Sequence, residues 1–307
     1  MKKTFARIAA VLMAAPLVLT AACGSSDLSS SSKITIVGQD FTEGNIMTAL
    51  YGDLLKDAGY KTQIKNFTAR SVYIKPMEKN QVQISADYLS SMTDELNHEA
   101  NGADAPEVAT PDTAQTLAVL TKLANKVGLT PLTPAPAQDA NAYAVTKKFA
   151  QANNLTTLSD LGKLGQPIKL AAAPDCATRQ SCKLGLKSVY NINITAVQPL
   201  GFDSPQGKSA LVKGEVQLAQ VATTDATLDA QGLVILTDDQ KLQNAENLVP
   251  IVNSAWLKKN AKAATALNKL SAVLTTADLT AMIDKVDSQR DEVSTVASDY
   301  LKSKGLI

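Results

Sequence analysis

From residue 33 onward the apolar positions follow two periods in turn. Short runs rich in β-branched residues alternate with stretches whose apolar residues return every three or four positions, the pattern of an α/β architecture built from βαβ units. Residues 33–37 predict a strand that Gly38 ends, and Thr42 caps a helix carrying Ile46, Ala49, Leu50 and Leu54 on one face. A strand over 61–67, a helix over 71–80 and a strand over 82–86 follow, with Tyr88 just beyond that last strand. A helix over 113–126 leads into the proline-rich run 130–136, expected to cross between two lobes without joining a sheet. The alternation then restarts. Strands are expected at 142–146, 168–172, 194–197 and 217–221, with helices near 147–153, 184–190 and 206–213. Strands at 233–236 and 248–252 should return the chain to the first lobe. There the helical stripes Leu267, Leu270, Val273, Leu274 and Val293, Val296, Ala297, Tyr300, Leu301 would pack. The expected division is therefore 33–136 with 233–307 as lobe one and 137–232 as lobe two.

The N-terminus changes this picture by adding an address. Lys2, Lys3 and Arg7 precede an apolar stretch over 8–19 that is too short to span a bilayer comfortably, and Ala21 and Ala22 precede Cys23, so residues 1–22 form a secretory signal. Residues 20–23 resemble a lipobox, although Thr20 stands where leucine is more frequent, and this implies lipidation of Cys23. The serine-rich stretch 23–32 cannot bury apolar surface and reads as a flexible tether of roughly 15–20 Å reach. The expected location is the extracellular face of the cytoplasmic membrane, held by the lipid.

Charge removes one class of partner. Lys and Arg number 30 against 29 Asp and Glu, without long blocks, so no electrostatic grip on nucleic acid is present. Of three cysteines, Cys176 and Cys182 remain after Cys23, and in an oxidising compartment such a pair is usually a disulfide. Six residues of regular helix would hold them about 9 Å apart, so a bond requires a bent loop; the other reading is two free thiols.

Catalytic chemistry has little to work with. His98 is the one histidine, expected on the solvated surface, and no Gly-x-Ser-x-Gly elbow, zinc-type spacing or phosphate-binding glycine loop accompanies it. We expect no enzyme, no cofactor and no metal. What the sequence supplies instead is polar strand-to-helix junctions at 39–43, 87–91, 174–179 and 223–225, where ligands settle in open α/β sheets. Helix N-termini there favour an anionic group, and Arg179 could clamp a carboxylate.

Four segments, 37–43 (VGQDFTE), 81–88 (QVQISADY), 158–161 (LSDL) and 236–239 (LTDD), together resemble the glycine betaine/choline-type substrate-binding proteins of ABC importers. The resemblance runs over nearly all of the chain beyond the tether. It implies an α/β, two-lobed, periplasmic-binding-protein-like fold with a ligand cleft between the lobes. It also implies a monomer that hands an osmoprotectant to an importer permease. Carried across, Tyr88 is similar to an aromatic wall of the quaternary-ammonium box, Ser91 stands where a threonine helps hold the carboxylate, and Arg179 is similar to the carboxylate-binding arginine. Tyr143 resembles the tyrosine that opens the second lobe, with Asn141 just before it, and Thr224 lies in the motif that follows another box tyrosine. Asp40 and Thr42 come from the first junction. Ala222 takes the place of that box tyrosine and Ser85 that of another aromatic residue. Either Tyr143, Phe41 or Phe202 rebuilds the box, or the ligand is not a quaternary amine; Arg70 could serve such a different ligand.

Overall fold

The structure, a computed structural model, describes residues 33–307; the expected signal, the tether and Cys23 lie outside them. β1 (Ile34–Gln39), α1 (Thr42–Asp57), β2 (Thr62–Phe67), α2 (Ser71–Glu78) and β3 (Ile84–Tyr88) are followed by α3 (Leu89–Asn101), α4 (Thr113–Lys126) and β4 (Leu129–Pro131). A second set comprises β5 (Asn141–Thr146), α5 (Lys147–Asn153), α6 (Leu158–Lys163), β6 (Ile168–Ala172), α7 (Gly185–Tyr190), β7 (Ile194–Pro199), α8 (Pro205–Val212), β8 (Leu218–Ala222) and β9 (Leu233–Leu236). β10 (Leu248–Asn253), α9 (Ser254–Leu257), α10 (Ala261–Ser271), α11 (Thr276–Asp287) and α12 (Val293–Ser303) complete the chain. Among the described residues no helix is long and apolar enough to cross a membrane.

Two five-stranded sheets result, ordered β2-β1-β3-β10-β4 and β7-β6-β8-β5-β9. Each has three parallel strands and one strand, β10 or β5, that runs against its neighbours. The inner strands β1 and β8 are buried along nearly their whole length, interrupted in polarity only by Thr35, by Gln39 at the end of β1 and by Gln220, whereas the parallel edge strands β2 and β7 stay partly exposed. On one side of the first sheet, Ile36 and Ile84 pack with Ile46 and Leu50 of α1 and with Leu267, Leu279, Val296 and Leu301 of the C-terminal helices. Its other side receives Tyr73, Ile74, Leu89, Met92 and Leu120. Burying each such side chain stabilises the fold by about 1.5–3 kcal/mol.

Three expectations are corrected. The proline-rich run does join a sheet: β4 pairs with β10 at Ile251↔Pro131, and Pro131 is tolerated because β4 lies at the sheet edge, where one side needs no donor. Leu233–Leu236 does not return the chain to the first sheet, because β9 pairs with β5 at the edge of the second; the return occurs between Leu236 and Leu248. Residues 89–101 form a helix, so Tyr88 ends β3 and His98 is half-buried on α3, with Nε2 2.9 Å from the Ala105 carbonyl oxygen.

The chain passes between the sheets twice, and the two passages lie together. Gln138 bridges Asn247, the Asp139 amide donates to the Glu246 carbonyl at 3.1 Å, and the Leu248 amide donates to the Ala137 carbonyl at 3.0 Å.

Candidate functional site

Where α1 begins, the sequence turns sharply back on β1. A Cβ at Gly44 would lie 2.1 Å from the Gln39 carbonyl oxygen, so only glycine allows this approach, and it sets Phe41, Thr42 and Glu43 at the end of the strand. Phe41 occupies the N-cap without a capping side chain and leaves 40% of its surface exposed. Its ring stacks on Tyr88, centroids 6.4 Å apart. The Tyr88 hydroxyl in turn donates to Glu43 at 2.6 Å, and the other Glu43 oxygen, Oε2, is buried with no hydrogen-bond partner among the described residues.

Phe41, Thr42 and Glu43 wall a cavity of about 370 Å³ between the two sheets, while Tyr88 is buried behind them and does not line it. Facing them from the other side are Asp139, Phe202, Asp203, Ala222, Thr224 and Asp225, over a floor that includes Lys208. Phe202 is 45% exposed and occupies the same cavity as Ala222, so aromatic surface is present where the sequence lacks the expected tyrosine. Lys208 is buried and held by Asp225 at 2.6 Å and Asp203 at 3.3 Å. Thr224 donates to Asp139 at 3.0 Å. The result is an excess of carboxyl groups around exposed ring faces. Burial, reinforced by the charge of Asp139, pushes the Glu43 carboxyl up to about 8, even though it sits in the first turn of a helix, which favours the anion. Burial raises Asp139 as well, and burial with the neighbouring Asp225 takes Asp203 to about 7.

A second cavity, about 250 Å³, adjoins the same passages. Asp139 walls the first cavity and Asn141 the second, and two positions along an extended chain separate them by about 7 Å. Arg70, Ser91, Asn141 and Arg179, four residues expected at the site, meet here. Arg70 is already committed, donating to Asp87 at 2.7 Å and to Gln39 at 3.0 Å. Ser91 donates both its backbone N–H (3.2 Å) and its hydroxyl (2.7 Å) to the Glu246 carboxylate. Arg179 is half-exposed and pairs loosely with Asp175 at 3.3 Å. Its loop is closed by the Cys176–Cys182 disulfide, Cα atoms 5.2 Å apart, and the bend comes from a 3₁₀ turn at Pro174–Thr178. The Arg179 carbonyl accepts from the Cys182 and Leu184 amides, which anchors the loop at this residue.

The other expected residues are placed differently. Thr42 lines the first cavity but donates to Asp287, and Thr224 faces it through Asp139. Asp40 is exposed, accepts from Asn45 and walls neither cavity. Tyr143 does not line the first cavity: its hydroxyl donates to the Ser181 carbonyl, and it lines a third cavity, of about 630 Å³, with Gln138, Ala140, Thr223 and Lys241, which shares Asn141, Gln243 and Asn244 with the second. Ser85 is fully buried within β3 and walls neither cleft cavity. Sequence reasoning gave no individual weight to Glu43, Asp139 or Glu246. Glu43 lay within a motif already noted, while Asp139 and Glu246 follow no local pattern and acquire meaning only where the two passages pair.

Comparison with known proteins adds the following. The family model OpuAC, described as the substrate binding domain of ABC-type glycine betaine transport system, matches residues 32–303. A glycine-betaine-binding protein of Pseudomonas aeruginosa is 24% identical over 289 residues, covering 91% of this chain and 90% of that protein. The carnitine transport binding protein OpuCC of Listeria monocytogenes is 24% identical over 309 residues, covering 98% and 97%. A solved structure of a glycine betaine/carnitine/choline ABC transporter protein superposes with a TM-score of 0.78 at 20% identity, covering 89% of this chain and 99% of that one.

Proposed function

This chain belongs to the OpuAC family, the substrate-binding domains of ABC-type glycine betaine transport systems, and from that premise we propose that its cleft captures glycine betaine or a related quaternary ammonium solute. It is a solute-binding transport protein and not an enzyme. The observation that carries the ligand reading is the first cavity, where the exposed faces of Phe41 and Phe202 stand beside Glu43, Asp139 and Asp203. A cation over an aromatic face gains roughly 0.5–2 kcal/mol, more as water is excluded, and nearby carboxylates add attraction that water would otherwise screen. Burial holds these carboxyl groups toward their protonated forms, and a cation bound beside them would favour the ionised forms. A solute's far end would lie toward Asn141, Ser91 and Arg179 in the second cavity.

Sheet membership suggests the working halves: residues 33–136 together with the chain from Leu248 onward, and the segment between them. The paired passages at Asp139 and Glu246 are the natural hinge. Lipidation at Cys23 would hold the monomeric binding domain at the extracellular face of the cytoplasmic membrane, beside its permease. Titration calorimetry with glycine betaine, choline, carnitine and proline tests the reading. Saturable binding of at least one quaternary amine, weakened by Phe202→Ala, is the expected result; binding of proline alone would move the protein to a ligand without a quaternary centre.

A further inference from the structure

The second cleft cavity is equipped to hold an anion, and the protein has filled that place itself. Ser91 is the third residue of α3, a helix of 13 residues, so its amide is one of the free donors at a positive helix end. Its hydroxyl points the same way, and Arg70 and Arg179 bring positive charge to the same walls. Yet the carboxylate that receives the Ser91 amide and hydroxyl belongs to Glu246, at 3.2 and 2.7 Å. Glu246 is fixed there by the pairing of the two passages, since its own carbonyl accepts from the Asp139 amide.

This arrangement treats two nearly isosteric solutes differently. Choline and glycine betaine share the trimethylammonium group and differ at the other end, a hydroxymethyl against a carboxylate. In the cavity, a solute carboxylate would meet Glu246 where it sought donors, with like charges side by side. A hydroxyl there would donate to Glu246, and the negative charge would strengthen attraction for the cation. We propose that Glu246, by occupying the donor set of Ser91 as a built-in carboxylate, is the specificity-determining residue that favours a quaternary ammonium alcohol over the zwitterion. The inference rests on the quaternary-ammonium reading of the cleft.

The test is the ratio of choline to glycine betaine affinity, measured by calorimetry on the full binding domain at about pH 8, above the value of about 7 to which burial raises the Glu246 carboxyl. The wild-type protein should hold choline more tightly. Glu246→Gln keeps an acceptor for Ser91 while removing the charge, and should move the ratio toward glycine betaine by about tenfold, equivalent to about 1.4 kcal/mol. Glu246→Asp keeps the charge and should stay near the wild-type ratio. Both ligands bound with a ratio unchanged within about twofold in Glu246→Gln, or an Asp variant that shifts as far as the Gln variant, would overturn the assignment to charge. Binding of neither solute by any variant would remove the quaternary-ammonium reading and this inference with it.

Discussion

Replacing Glu43 by Gln should change how stability depends on pH. In the folded protein this carboxyl keeps its proton up to about pH 8 instead of the ordinary 4.5, because it is buried and faces Asp139, with one oxygen unpartnered. Between those two values the folded state binds more protons than the unfolded chain, so the contribution of Glu43 to stability falls as pH rises and levels off above about 8. At about 1.4 kcal/mol for each pH unit, the loss is on the order of 5 kcal/mol across the window. Glu43→Gln has no such proton to lose and still accepts from the Tyr88 hydroxyl, so its profile should lack this slope. Urea unfolding at pH 5, 7 and 9 on both proteins gives the difference directly, and subtracting the two profiles cancels the similar slopes from Asp203 and Glu246. Choline or glycine betaine, added at saturation, should recover part of the loss by supplying a cation to the ionised carboxylate. Parallel profiles for wild type and Glu43→Gln would refute the account of a carboxyl held uncharged by burial.

Further outcomes follow from the same geometry. Phe202→Ala should weaken quaternary ammonium binding about 2- to 30-fold by calorimetry, since an exposed ring face contributes roughly 0.5–2 kcal/mol and little else in the fold depends on it. Lys208→Met should destabilise the fold by about 3–5 kcal/mol in urea, leaving the buried Asp225 carboxylate, with the half-buried Asp203 beside it, without its counter-charge. Replacing Cys176 and Cys182 by Ser should cost about 2 kcal/mol of stability, and hydrogen exchange should rise over residues 174–184 while the first sheet keeps its protection.

Much of the architecture was legible because it depends on local periodicity. The inner parallel strands are largely apolar runs bounded by polar junctions, and α4 and α5 fill the expected ranges 113–126 and 147–153, each with a capping side chain, Asp112 or Thr146, that the structure adds. The failures have physical causes. Pro131 argued against a strand, but that rule holds only inside a sheet, and edge position is a tertiary fact. The strand Leu233–Leu236 carries no mark of which sheet it will join, because either edge would cover it. α3 was not expected because the buried polar residues Ser90, Thr93 and Asn97 interleave with its apolar stripe of Leu89, Met92 and Leu96 and blur the helical period. Resemblance pointed to Arg179 and Ser91, which line the second cavity, and to Tyr88, which lines neither and stacks behind Phe41. It did not reveal that Ser91 would hold an internal carboxylate, nor that Phe202 would face the gap at Ala222, since both depend on residues distant in sequence meeting at the cleft.

A structure determined with choline or glycine betaine bound tests the central claim most directly. The account predicts the trimethylammonium group within about 6 Å of the Phe41 and Phe202 ring centroids and beside Glu43 and Asp139, its other end directed toward Asn141. Solute found instead among Gln138, Tyr143 and Lys241, or no ordered solute between the sheets at saturating concentration, would contradict it.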